Sequence, residues 1–273
     1  MDHQPTAYEL KAWTEIQYWE QRTGGPLAKL GRAIDRPITW AGDKVFATRA
    51  GGVAAKTIEG IMEILSDAAT WTVRTDSIYK RFRSAGHEVV WSANDVYALT
   101  LEDVDHVARR LSGKYKTLAG AEGAAAGAAG LPGIAVDIPT LLTLNIRAVA
   151  EYCAYYGFDL QSQAERMFAT QILVAASSPT NSTKYVELIT LSRLARDVAK
   201  RKTWVELEKY AEVRSLQRIA QTLGVRLTKR KLAQIVPISG ALIGGGINYA
   251  FTSNVTATAS QMYRKRFLIE RYG

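Results

Sequence analysis

The positions best suited to chemistry are acids and amides set in apolar surroundings. Asp137 stands between Val136 and Ile138-Pro139 and is the only charge between Glu122 and Arg147. A carboxylate there needs a partner or must stay protonated, because burying it unpaired is expensive. Two readings follow. Asp137 caps a helix that starts at Pro139, since Asp is a favoured N-cap; or it is an acid or anchor inside a cavity. Glu122 is a second carboxylate of the same kind, and burial raises the pKa of such groups toward general acid–base work. Asn248 and Asn254 lie within residues 232–263, which carry no charge at all. Their amides can bridge helices or complete a polar site. A hydrolase built on these groups requires a pocket where Asp137 or Glu122 meets Asn248 or another polar partner.

Other catalytic patterns fail on inspection. His87-Glu88 opens like HExxH, but Trp91 stands where the second zinc ligand belongs. The Gly240–Gly246 run lacks the Lys-Ser/Thr of a phosphate loop and does not read GxGxxG. There is no GxSxG elbow. Cys153, the single cysteine, sits on an apolar helix and reads as a buried thiol. His106 reads as a surface histidine, and Arg147 with Glu151, at i, i+4, as a surface pair. No metal and no cofactor is expected.

The elements that must position these groups are helices. Tyr8, Trp13, Ile16 and Trp19 fall near a helical spacing that Thr23-Gly24-Gly25-Pro26 closes. The apolar stripe over 44–69 predicts a longer helix, and Thr100 with Asp103 a capped start. Further helices are predicted over 159–177, 183–200 and 203–223. Only HEVVW at 87–91 alternates like a short strand. Two segments stand apart for their glycine. In GAEGAAAGAAGLPGIAVDIPTLLTLNI (120–146), Gly123, Gly127 and Gly130 strip one helix face of side chains. The second segment places Gly240 and Gly244 behind Pro237. Small residues at this spacing let backbones approach closely. The chain therefore reads as all-α: a single multi-helix globular domain in which two Gly/Pro-rich apolar hairpins pack together. Proline, asparagine and aspartate interrupt both segments, so neither reads as a membrane span.

The formal charge is +9, and residues 193–273 account for it with sixteen basic against five acidic residues. Three clusters stand out: Arg193, Arg196, Lys200, Arg201 and Lys202; then Arg226, Lys229, Arg230 and Lys231; then Arg264, Lys265 and Arg266. Cations that bracket an uncharged apolar stretch suit the headgroups of an anionic membrane. Nucleic acid is the less favoured polyanion, because a groove reader carries its cations on the recognition element itself. The opening MDHQPTAYELKAW has no apolar run behind a basic start, so no secretory signal is expected and the location reads as cytoplasmic, peripheral at the inner face of the cell membrane.

The stretch GAEGAAAGAAGLPGIAVDIPTLLTLNIRAVAEYCAYYGFDL, followed by AERMFATQILVAAS, resembles the core of the EcsC family. VPISGALIGGGINYAFTSNVTATASQMYRKRFL resembles its closing Pro–Gly-rich segment and basic tail. Among the residues that match its pattern are Glu122, Gly123, Gly127, Gly130, Asp137, Pro139, Pro237, Gly240, Gly244 and Asn248. The likeness is clear from about 100 to 268 and looser before, which divides the chain into an N-terminal helical region, 1–98, and an EcsC-like core, 99–273. The resemblance implies an α-helical bacterial protein linked by name to ABC-transporter function, and it carries no catalytic residues. The resulting expectation is a non-enzymatic helical protein that is peripheral to anionic membrane or holds a lipid or other apolar ligand, as accessory to a membrane transporter. Its headgroup contacts are assigned to Arg226, Lys229, Arg230, Lys231, Arg264, Lys265 and Arg266. The alternatives are the hydrolase on Asp137 or Glu122 and a module that binds another protein.

Overall fold

Good helix formers, punctuated by side-chain caps and by turns, dictate the architecture. In the computed structural model, residues 4–21, 51–128, 131–200, 216–232 and 240–273 are described. Their helices are α1 (Ala7–Gln21), α2 (Gly51–Ser66), α3 (Thr75–Ser84), α4 (Ala93–Ala98), α5 (Leu101–Ala108), α6 (Leu111–Ala128), α7 (Leu131–Tyr155), α8 (Gln163–Ala176), α9 (Asn181–Ala199), α10 (Leu216–Leu232) and α11 (Gly240–Tyr272). No strand occurs among the described residues. The all-α expectation holds. Residues 44–50 and 203–215 of two predicted helices, with Gly130, Pro237, Arg201 and Lys202, lie outside the described residues, as do the surroundings of Gly127, Gly240 and Gly244.

Local chemistry sets the boundaries. Thr100 caps α5 through its hydroxyl, which accepts from the Asp103 amide at 3.2 Å. Ser92 and Asp95 form a reciprocal capping box at α4. That box explains why HEVVW is not a strand. The Val90 amide closes a turn on the His87 carbonyl, and Trp91 and Ser92 already donate to Asp95. Val90 is buried, while Val89 and Trp91 point outward and Trp91 lies beneath the Arg83 guanidinium. The apparent alternation belongs to a turn that leads into a helix.

Helix α11, at 33 residues, spans roughly 50 Å. It lies along α6 and also touches α1, α7, α8 and α9. Its intimacy with α6 follows from glycine. A Cβ added at Gly245 would sit 2.9 Å from the Gly120 carbonyl oxygen and 3.4 Å from the Ala124 Cβ. The two glycine-rich segments do pack on each other, through Gly120 and Gly245 at the closest point. At a second crossing, α10 against α2, a Cβ on Gly224 would collide with Ile58. One hydrophobic cluster runs from Ala12 on α1 to Ile269 on α11, so the N-terminal helices share the core of the later ones.

That core holds phenols that resist ionisation. Burial raises the pKa values of Tyr115, Tyr156 and Tyr263, and burial with the Asp105 charge pushes Tyr8 up to about 12. The folded state therefore keeps protons that the unfolded state releases near pH 10. Stability from these groups is complete below about pH 10 and is lost as pH rises above it. An alkaline titration followed by phenolate absorbance and circular dichroism is expected to show most phenolate appearing together with loss of helix.

Candidate functional site

Four helices deliver one polar group each to a single buried point. Asp137 comes from α7, Lys231 from the last turn of α10, Asn248 from α11 and Glu122 from α6. Asp137, Lys231 and Asn248 are at most 4% exposed. The Lys231 amine donates to an Asp137 carboxylate oxygen and to the Asn248 carbonyl oxygen. The Asn248 amide closes the ring by donating 3.0 Å to the other Asp137 oxygen. Glu122 is half-buried beside them, and burial together with the Asp137 charge raises its pKa against the opposing pull of Lys231. Burial lowers the pKa of Lys231, and Asp137 opposes that shift.

The cap reading of Asp137 is thereby corrected. Helix α7 runs unbroken from Leu131 to Tyr155 with Pro139 inside it. The ring forfeits one i→i−4 hydrogen bond and packs beside Gly60 on α2, where an added Cβ would lie in ordinary contact, 3.6 Å from Pro139 Cγ. Asp137 thus sits within the helix and faces Lys231. Both of its oxygens take donors, one from Lys231 and one from Asn248. Glu122 is the member of the group nearest to an acid–base role.

From this centre a polar seam runs along α11. Asn248, Thr252 and Thr256 follow at intervals of four, on one helix face. The Asn145 amide donates to Thr252 at 3.1 Å, and Thr256 lies 3.0 Å from the Ser112 hydroxyl. The seam covers about 12 Å and ends at a cleft of about 350 Å³ lined in part by Asp105, Ser112, Tyr152, Thr256 and Arg264. The spacing of Asn248, Thr252 and Thr256 within an uncharged stretch was the sequence signal for this seam. Nothing in the sequence marked Asp105 or Tyr152.

Other expected site residues fall elsewhere. Asn254 is exposed, and its carbonyl accepts the Thr258 hydroxyl on the same helix. Glu151 pairs with Lys114 at 2.7 Å, rather than with Arg147. Cys153 is fully buried, and burial raises its thiol pKa. His106 is exposed. No group of three His, Cys, Asp or Glu residues able to hold a metal occurs among the described residues.

The basic tail requires a correction of its own. Arg264, Lys265 and Arg266 are 8%, 4% and 3% exposed, and none is placed to meet a headgroup. Arg264 donates to Asp105 at 2.8 Å, Lys265 to Glu20 at 2.6 Å, and Arg266 to Glu165 at 2.6 Å and to Glu270. Helix α11 is surrounded on several sides, so three adjacent cations, pointing about 100° apart, each meet a different neighbour. Lys231 is interior for the same reason. In the second cluster Arg226 donates to the Val174 carbonyl and the Ser177 hydroxyl at 3.0 Å, and Arg230 lies over the Phe251 ring. Lys229 is half-buried.

Among the described residues, the exposed cations of the last third belong to the first cluster. Arg193, Arg196 and Lys200 line the outer face of α9, with no ion pair among the described residues. Toward the start of that helix Tyr185, Val186 and Ile189 are 45%, 59% and 36% exposed. At 100° per residue all six fall within an arc of about 100°. The Thr180 hydroxyl fixes the helix start by accepting from the Thr183 amide at 3.2 Å. No helix among the described residues is long and apolar enough to cross a membrane.

The model of the EcsC protein family matches residues 10–268. Two proteins of Bacillus subtilis (strain 168) are similar. Protein EcsC is 27% identical over 233 residues, which cover 85% of this chain and 91% of that protein. Uncharacterized protein YdbA is 27% identical over 194 residues, which cover 67% of this chain and 65% of YdbA, so the match spans just under two thirds of that relative. No solved structure matches the chain.

Proposed function

The chain belongs to the EcsC family, and we propose that it is a non-enzymatic helical protein that attaches peripherally to anionic membrane through the outer face of α9. The observation that carries this reading is the exposed arc of Tyr185, Val186, Ile189, Arg193, Arg196 and Lys200. Apolar side chains at one end can enter the headgroup boundary, while cations at the other meet lipid phosphates. Each basic residue near an anionic surface contributes about 1 kcal/mol, so three give roughly a hundredfold in affinity. The cleft in the described region is lined by charged, hydroxyl and amide groups, which favours a membrane surface over an apolar interior as the lipid-binding element. A membrane transporter of the ABC class is the partner that the family resemblance implies.

Liposome flotation tests the proposal. Binding is expected to vesicles that contain phosphatidylglycerol, to be absent with phosphatidylcholine alone, and to weaken as salt screens the contact. Changing Arg193, Arg196 and Lys200 together to Glu is expected to abolish binding while the melting temperature stays close to that of the parent, because all three are exposed. Failure to bind anionic vesicles even at low salt defeats the reading.

A further inference from the structure

The cleft at the end of the polar seam is a built site that membrane attachment does not use. Its floor is rigid. Asp105 accepts from Tyr8 at 2.8 Å, from Tyr156 at 2.6 Å and from Arg264 Nε at 2.8 Å. These three donors arrive from α1, from the turn after α7 and from α11, so the carboxylate is fully engaged and the floor cannot relax easily. Its volume of about 350 Å³ lies within the range of small-molecule sites.

The walls are less satisfied than the floor. Tyr152 is 3% exposed and, beside Ser112, lines the cleft. Its hydroxyl proton has no acceptor among the described residues. Arg109, exposed at the mouth, has neither a carboxylate nor a carbonyl partner among them. Helix α6 begins at Leu111, directly after Arg109 and Arg110, and its Ser112 lines the same cleft. Asp105, Arg109 and Arg264 together give the lining one net positive charge. An unpartnered guanidinium and a tyrosine hydroxyl with no acceptor for its proton both suit an acceptor that carries negative charge.

We infer that this cleft binds a small hydroxylated oxyanion, a phosphate ester or a carboxylate, with Arg109 as its charge partner and Tyr152 as a donor. Ser260 and Gln261 on α11 supply further groups for hydroxyls. The ligand is a soluble small molecule, and its site lies on other helices than the α9 face.

Calorimetric titration of the full chain with four probes tests this: glycerol 3-phosphate, inorganic phosphate, gluconate and glycerol. Binding is expected for at least one of the three anions and not for glycerol. Phosphate against gluconate separates the two oxyanion classes. Arg109→Ala, at an exposed position, is expected to weaken that binding at least tenfold, and Arg109→Lys to restore part of it. Tyr152→Phe is expected to weaken it several-fold. No binding of any anion, equal binding of glycerol, or unchanged affinity in Arg109→Ala each overturns the inference. The α9 triple-Glu variant is expected to keep the anion affinity, and Arg109→Ala to keep vesicle binding, so the two proposals fail separately.

Discussion

Lys231→Met is expected to lower the unfolding free energy by about 3–5 kcal/mol, the usual cost of removing one partner from a buried ion pair. Methionine keeps the length and apolar volume of the stem, so little of the loss comes from packing. What remains is the Asp137 carboxylate at 4% exposure with only the Asn248 amide as donor, and Glu122 beside it without the cation that lowers its pKa. The folded pKa of Glu122 already lies above its unfolded value, and without Lys231 it rises further. The folded variant then binds more protons than the unfolded chain in mildly acid solution, so its stability falls as pH rises through that window. Urea unfolding at neutral and mildly acid pH is expected to show the deficit shrinking in acid. Adding Asp137→Asn should recover much of the loss, because a neutral polar pair carries no uncompensated charge. A Lys231→Met variant within about 1 kcal/mol of the parent would place the amine outside the ring.

The helical class and the packing of the glycine-rich segments were both legible, because each rests on periodicity along a short stretch of chain. Asp137 and Asn248 were legible as polar groups stranded among apolar ones, and the fold brings them together. Lys231 was not. It closes the run Lys229-Arg230-Lys231, and adjacent helical residues point about 100° apart, so a run of cations that looks uniform in sequence cannot share one face. The same geometry hid the tail. Charge counted by segment assigns the surplus to the last third, yet its cations fold against acids from elsewhere: Arg264 on Asp105, Lys265 on Glu20, Arg271 on Glu9. These partners lie more than a hundred residues apart, and no local pattern announces them. Asp105 was invisible for a further reason. In EDVDHVARR it is one of three acids on a short polar helix, and only the arrival of Tyr8, Tyr156 and Arg264 distinguishes it.

Because the tail is interior, removing its charge should affect folding rather than membrane binding. Arg266→Met is expected to cost about 3–5 kcal/mol while leaving flotation with anionic vesicles unchanged at temperatures where the variant is folded. Arg266 bridges Glu165 on α8 to Glu270 on its own helix and stacks 4.8 Å over the Phe158 ring. Glu165 is 6% exposed, one of its oxygens has no partner among the described residues, and burial raises its pKa even with the guanidinium present. Without Arg266 that carboxyl favours its protonated form more strongly. The folded variant therefore retains a proton that the unfolded chain gives up, and its stability declines as pH rises through the raised value. Adding Glu165→Gln to Arg266→Met should remove that pH dependence and return part of the stability, which a loss caused only by missing packing against Phe158 would not do. Loss of vesicle binding in a folded Arg266→Met protein would instead return the tail to the surface and remove α9 as the sole cationic contact.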